Sequence, residues 1–462
     1  MFSRPVSTEG LRAMIAIEAT RRQVLAAGGG LAAGVATKAA GMAADGASGL
    51  GALLSDGPDG VLCAGMIVRG PGGRVVAAQA VGRRYTGSGQ AERIEPFGLD
   101  DPFRTASVSK LITTTGFMRL VSSGQVALGD DASDPLGFRL RHPAWPDRPI
   151  TIRQLLSHTS SLRNGPSYPV PAGHTLADAF HEGGRHFDGG AWFGPAEHAP
   201  GDWFAYADVN FCLIAQIIER ITGERFDRYM TRTVLAPMTL DSGYNWSGVS
   251  QAKRSRAASA RRWLDGRWTA QTDAIVPPAP EVVYPQPPGE PPVAEQDLRL
   301  GENGFLFSPL GGLRVSLRDL DRLAALYAAG GSVGGVEIVS ARSLGAMTSP
   351  VWRYDPDHPN GETDGGVWRG YGLAVQILQE VHGPQGDAYF GDGSADWRGH
   401  LGDAYGWLAG LFWNRRTGAS LVYALNGMRE TGRRPGRRCA LTAAEEALID
   451  QALGIDRRDK RL

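Results

Sequence analysis

Phe103-Arg104-Thr105-Ala106-Ser107-Val108-Ser109-Lys110 is the stretch from which the fold is read, and it runs directly into Leu111 to Ser123 before a stop at Gly124. Ser107 and Lys110 are in the pattern Ser-x-x-Lys. A helix beginning here sets hydroxyl and amine one turn apart on one face, where the amine takes or relays the hydroxyl proton. Leu111, Phe117, Met118 and Val121 give that helix an apolar stripe, and Gly124 supplies a left-handed cap. A serine at the mouth of an amphipathic helix lies at the positive end of its dipole and offers its own N–H to a developing oxyanion. The same spacing recurs at Ser250-Gln251-Ala252-Lys253, but Arg254-Ser255-Arg256 follow with no apolar stripe, so that copy reads as surface.

Outward from this segment the pattern is strand-like toward both ends and helical between. Cys63 to Arg69 and Arg74 to Val81 are apolar-rich runs separated by Gly70-Pro71-Gly72-Gly73, an antiparallel hairpin. Tyr405, Trp407, Ala409, Leu411 and Trp413 alternate as a late strand, Asn414 to Gly418 turn, and Ala419 to Leu425 return. Phe211 to Ile221, closed by Gly223, is a second helix. Ser316-Leu317-Arg318-Asp319 forms a capping box before Leu320 to Ala329, and Leu441 to Leu453 makes a terminal helix. This order predicts an α+β fold: one antiparallel β-sheet shared by both ends of the chain and flanked by helices, with an all-helical lobe inserted. Pro277 to Pro292 holds eight of the 29 prolines and is therefore loop, either an exposed connector or a cover over a site.

Charge narrows the functions. The 462 residues carry 48 Lys plus Arg and 48 Asp plus Glu, and a neutral chain lacks the basic excess that a nucleic-acid partner requires. Arg433-Arg434-Pro435-Gly436-Arg437-Arg438 accordingly reads as a solvated turn before the last helix. Cys63, Cys212 and Cys439 have no paired spacing, which excludes a disulfide scaffold and a thiolate metal cluster. The nine histidines show no His-Glu-x-x-His, and there is no phosphate loop. No metal and no cofactor is expected. Thr20-Arg21-Arg22-Gln23-Val24-Leu25 and the Ala/Gly stretch to Thr37 look like a twin-arginine export signal, too short to span a bilayer. Residues 1–55 are thus expected to be signal and linker, 56–456 the folded domain and 457–462 a tail. The expectation is a periplasmic or secreted protein with no integral membrane segment.

Two further patterns carry chemistry. Of twelve tyrosines only Tyr206 has Asn or Asp two residues on, as Tyr206-Ala207-Asp208 at the entry to the Phe211 helix. A phenol titrates too high to be a good base at neutral pH, but an adjacent ammonium such as Lys110 favours its anion. Tyr206 is either that base or a tyrosine hydrogen-bonding at a helix start. His-x-Gly occurs as His181-Glu182-Gly183 in a Gly-rich loop and as His400-Leu401-Gly402 leading into the Tyr405 strand. At the second, Gly402 lets a substrate approach the backbone, and the N–H of Asp403 can face an oxyanion.

Taken in order, Ser-x-x-Lys opening a helix, Tyr-x-Asp before a second and His-x-Gly beside a late strand, the chain resembles the serine β-lactamase and penicillin-binding-protein superfamily. It is most similar there to class C β-lactamase-like esterases and peptidases. Thr151 to Ser160, Pro200-Gly201, and Ser308 to Leu313 look like further family blocks, and the likeness spans roughly residues 57 to 455. It implies Ser107 as nucleophile, Lys110 as proton shuttle, Tyr206 as base, and His400 and Gly402 as the third motif. The backbone N–H groups of Ser107 and Asp403 would form the oxyanion hole. Leu401 stands where β-lactamases have a hydroxyl that holds the substrate carboxylate, and Asp208 where many relatives have Asn. A carboxylate there repels an anionic substrate unless Lys110 neutralises it. The expected substrate is a small-molecule neutral ester, or an amide, cleaved through an acyl-enzyme. The alternatives are a β-lactamase, a D-amino-acid peptidase, a catalytically silent binder of wall peptides, and a purely structural Asp208–Lys110 pair.

Overall fold

The computed structural model describes residues 49–87, 92–271, 290, 293 and 295–459. The expected export signal and, apart from Glu290, the Pro277 to Pro292 segment lie outside the described residues. At the centre is an antiparallel sheet whose strands in chain order are β1 (Cys63–Arg69), β2 (Val75–Thr86), β3 (Arg93–Pro96), β4 (Trp352–Arg353), β5 (Gly370–Tyr371), β6 (Gln376–Ile377), β7 (Trp397–Ala404), β8 (Trp407–Asn414) and β9 (Ser420–Asn426). They lie side by side as β4-β5-β6-β7-β8-β9-β1-β2-β3. β1 pairs with β9 from Cys63 opposite Asn426 to Arg69 opposite Ser420, so both ends of the chain share the sheet, as the two hairpins imply. The helices that cover the sheet or position the site are α1 (Val108–Ser122), α2 (Ile152–Leu156), α3 (Val209–Thr222), α4 (Leu317–Ala328) and α5 (Ala443–Asp459).

Alternation in the strands explains the layering, because successive side chains point to opposite faces. Cys63 and Ile67 of β1, Trp407, Ala409, Leu411 and Trp413 of β8, and Val422 and Ala424 of β9 belong to one apolar cluster with α1 and α4. Ala64, Met66 and Val68, Leu408 and Phe412, and Leu421, Tyr423 and Leu425 belong to another with α5. Each large side chain buried this way contributes about 1.5–3 kcal/mol. Neither face of the central strands β1, β8 and β9 is therefore left to water, whereas β2 and β3 at the edge are half-buried or exposed along most of their length. Leu50 is buried in the second cluster, so packed chain begins ahead of residue 56, and α5 continues past residue 456 to Asp459. Among the described residues no helix is long and apolar enough to cross a membrane.

Two local expectations change. α1 is not amphipathic: Val108 through Met118 are all buried, because the helix runs between the sheet and the inserted lobe and meets solvent only in its last turn. His400 does not precede the late strand but lies within β7, and the strand expected to begin at Tyr405 begins at Trp407. Tyr405 (φ 56°) and Gly406 (φ 96°) form the two-residue turn between β7 and β8. Positive φ at both central positions is the type I′ pattern favoured in such hairpins. The alternation of Trp407 to Trp413 runs back through Tyr405 without a break, which hid the turn. The inserted segment also carries a short hairpin, 261–264 with 267–270.

Candidate active site

The chain enters α1 by a strained reversal. Phe103 and Arg104 pair with Val315 and Arg314, and Ala106 then adopts φ 49°, a conformation that non-glycine residues rarely take. Its neighbours hold it there. The Thr105 N–H donates to Leu313 O at 3.0 Å, the Ser109 hydroxyl to Ala106 O at 2.6 Å, and the Leu313 N–H to Ser109 Oγ at 2.9 Å. The Ser308 to Leu313 block is thus what braces the turn. Ser107 occupies the N-cap position of α1, half-buried, but its hydroxyl makes no capping bond. Its Oγ accepts instead from Lys110 Nζ at 3.0 Å.

Lys110 is fully buried; its Nζ donates to Ser107 Oγ and to Leu310 O at 2.9 Å, and forms an ion pair with Asp208 Oδ1 at 2.5 Å. Asp208 sits at the N-cap of α3, where a carboxylate ordinarily accepts from the helix. Asn164 takes over that duty, its Oδ1 accepting from the Val209 N–H at 3.0 Å. The carboxylate is thereby free to meet Lys110 with one oxygen and the Tyr168 hydroxyl, at 3.1 Å, with the other. The condition under which Asp208 would not repel an anion is therefore met by this ion pair. What the aspartate changes is the total: the pair sums to zero, whereas an asparagine would leave Lys110 uncompensated.

Tyr206 is brought to the same place, its ring centroid 4.9 Å from Lys110 Nζ. Trp368 stacks on it at 4.7 Å with planes 7° apart, and His158 lies on it at 4.2 Å. His400 is 6.1 Å away between ring centroids. It does not present an open nitrogen to a ligand. His400 is buried, Nδ1 donates to Leu401 O at 2.6 Å, and Nε2 accepts from the Tyr371 hydroxyl at 2.8 Å. Burial, then the nearby Tyr206 and Asp208, keeps the Tyr371 phenol well above its ordinary range, so it serves as a donor. Gly402 lies directly against the nucleophile's turn: a Cβ there would stand 2.0 Å from Thr105 O. The Asp403 carboxylate is held by Arg433 in a two-toothed ion pair at 2.5 and 2.8 Å. Leu401 is buried in the cluster that contains Tyr371 and Trp368, and no hydroxyl is available at that position.

Ser107, Lys110, Tyr206 and Asp208 therefore converge, with β7 behind them. The other copies of the motifs do not. Ser250 is exposed and caps a short turn of helix, with its hydroxyl on Asp241 at 2.5 Å, while Lys253 is engaged by Asp319. His181 is exposed, and its Nδ1 bonds Ala177 O at 3.0 Å. Residues that sequence reasoning passed over include Tyr168, Asn164, Trp368 and Tyr371, none of which stands in a recognisable spacing. His158 was legible as part of the Thr151 to Ser160 block but without a role. Arg433 was read as solvated; its pairing with Asp403 shows that the basic run is only partly so.

The family model described as Beta-lactamase matches residues 50–445. An uncharacterized protein of Mycobacterium tuberculosis is 27% identical over 304 residues, covering 62% of this chain and 68% of that one. The D-alanyl-D-alanine-carboxypeptidase/endopeptidase AmpH of Escherichia coli is 25% identical over 182 residues, 39% of this chain and 46% of its own. Among solved structures, a D-amino acid amidase from Ochrobactrum anthropi superposes with a TM-score of 0.57 at 17% identity, covering 87% of this chain and 94% of that one. An octameric penicillin-binding protein homologue from Pyrococcus abyssi gives 0.56 at 18%, covering 85% and 73%. At these identities the superpositions show a shared fold.

Proposed function

Because the chain belongs to the beta-lactamase family, within a superfamily of serine acyl-transferring hydrolases, we propose that it hydrolyses a neutral carboxylic ester through an acyl-enzyme on Ser107. The observation that carries this is one buried ammonium that donates to Ser107 Oγ and Leu310 O and is ion-paired with Asp208. So paired, Lys110 supplies positive charge, and the proton of Ser107 goes elsewhere. Tyr206, beside that charge, takes it as Oγ attacks the ester carbonyl. The tetrahedral oxyanion is stabilised by the N–H groups of Ser107 and Asp403. Its collapse breaks the bond to the alcohol, which leaves with the proton from Tyr206. A water then yields its proton to Tyr206 and attacks the acyl carbon; the acid departs and Ser107 recovers its proton.

Two features support an ester over a β-lactam. Leu401 offers no hydroxyl to a substrate carboxylate, and Asp208 cancels the charge of Lys110, so an anion gains little on entering. Hydrolysis of a D-amino amide or peptide is a second reading, favoured by the partly exposed Asp208 carboxylate as a partner for a substrate ammonium. The Arg21-Arg22 pattern supports action outside the cytoplasm. The test is a screen of short p-nitrophenyl esters, D-amino amides and a chromogenic cephalosporin, with intact mass after exposure to a fluorophosphonate. The expected result is one adduct per chain, absent in Ser107→Ala, with esters turned over fastest. Faster cephalosporin turnover would reverse the ranking, and absence of an adduct in the wild type would mark a catalytically silent relative.

A further inference from the structure

We propose that His158 is a positioning residue, an imidazole kept neutral so that it can clamp the backbone on both sides of Tyr206. The proposal rests on the acyl-enzyme reading above and adds to it the part that fixes the base relative to Lys110.

His158 leaves α2 with φ 57° and is fully buried. Its carbonyl accepts from the Ala205 N–H at 2.9 Å, and its Nδ1 accepts from the Ala207 N–H at 3.2 Å. Tyr206 lies between those two donors, with its ring against the imidazole. Nδ1 also faces Asn210 Nδ2 at 3.1 Å, and the orientation of that amide is set because Asn210 Oδ1 accepts from the Ser160 hydroxyl at 2.6 Å. Both neighbours of Nδ1 are donors, so the ring proton is on Nε2. Nε2 is buried with no hydrogen-bond partner. The rings of Tyr371 and Phe204 stand steeply to the imidazole plane, at 62° and 78°, with centroids 5.4 and 6.0 Å away.

Protonation would undo the clamp. A second N–H at Nδ1 would confront two donors, and the new cation would share an enclosed space with Lys110 from α1 and His400 from β7. The other groups facing the ring are Tyr206, Tyr371 and, through its pair with Lys110, Asp208. Burial first, then Lys110 and His400, holds His158 well below the ordinary histidine range. An apolar ring would fill the same volume without the acceptor. The fold retains a histidine whose outer N–H finds no polar partner, and what that side chain alone provides is Nδ1.

The experiment compares wild type, His158→Phe and His158→Asn on a short p-nitrophenyl ester, with fluorophosphonate labelling rates and melting temperatures. Phenylalanine keeps the packing and loses the acceptor; asparagine offers Oδ1 near the place of Nδ1. His158→Phe should lower kcat roughly 10- to 100-fold with KM nearly unchanged, since a base displaced by about 1 Å costs that much. His158→Asn should recover most of the loss at a similar melting temperature. Full activity in His158→Phe, or no recovery in His158→Asn, overturns the proposal. If His158→Phe does not fold, imidazole nitrogen NMR of the wild type decides: the Nε2–H neutral pattern should hold between about pH 8 and 5, and titration within that window overturns the proposal. Failure of the wild type to label at Ser107 would instead sink the acyl-enzyme reading, and the NMR result would still report on His158.

Discussion

Replacing Gly402 by alanine adds one methyl group at the contact between β7 and the turn that carries the nucleophile. The added Cβ would lie 2.0 Å from Thr105 O and 3.3 Å from Val108 Cγ2, where real contacts do not fall below 3.0 Å. The obstructing atom is backbone, two residues before Ser107, so rotamer adjustment gives no relief. Either β7 or the turn must move by about 1 Å. Thr105 is itself tied to Leu313 through its N–H at 3.0 Å and its hydroxyl at 3.2 Å, and β7 is paired with β8 from Trp397 to Ala404, so the displacement is shared between two stiff elements. Overpacking of this kind costs about 1–3 kcal/mol of stability, and a misplacement of about 1 Å between nucleophile and oxyanion donors costs on the order of 10²-fold in rate. Gly402→Ala should therefore reduce kcat for a short p-nitrophenyl ester by about two orders of magnitude while the protein remains folded by circular dichroism. The labelling rate by a fluorophosphonate should fall in parallel. Wild-type kcat and an unchanged melting temperature would refute the close approach of β7 to Ser107 as the reason glycine stands here.

Asp208→Asn retains an acceptor for Lys110 and removes the charge, so it should cost about 1–3 kcal/mol, less than the roughly 3–5 kcal/mol for deleting a partner of a buried pair. With Lys110 uncompensated, a hemisuccinate ester should gain on a neutral ester by up to about 30-fold, the effect of roughly 2 kcal/mol for a charge some 8 Å away at an effective dielectric near 20. An unchanged ratio at reduced stability would make the pair purely structural. Glu219 is buried and accepts from the Phe226 and Gly301 N–H groups at 3.0 and 2.9 Å, yet burial pushes its carboxyl up to about 7. The folded state then binds a proton more tightly than the unfolded state, so this group favours folding below the unfolded value and the advantage is lost as pH rises toward 7. Urea unfolding should show wild type losing roughly 2–3 kcal/mol between about pH 5 and 8 relative to Glu219→Gln; parallel profiles would exclude the shift.

Local physics made part of this protein legible in the chain. Apolar runs beside turns marked β1, β2 and β9, and alternation marked β8, because a period of two residues and a turn are properties of neighbours in sequence. Capping at Ser316 and the stop at Gly223 bounded α4 and α3 for the same reason. Ser107 and Lys110 were readable as a pair because three residues on a helix are one turn in space. Tyr206 and Asp208 entered through order and resemblance, and their distances from Lys110 could not be read from spacing.

The tertiary structure alone decided the rest. That α1 is buried all round from Val108 to Met118 depends on the sheet on one side and the inserted lobe on the other. His400 became a fully engaged buried side chain because Tyr371, which lies in no motif, packs across β5 and β7. Asp208 is free to pair with Lys110 because Asn164, far back in the chain, caps α3 in its stead. Arg433 left the solvent because β7 ends where the chain after β9 passes. Each of these is a contact between residues distant in sequence, whose formation depends on how the whole core packs, and periodicity along the chain carries no record of it.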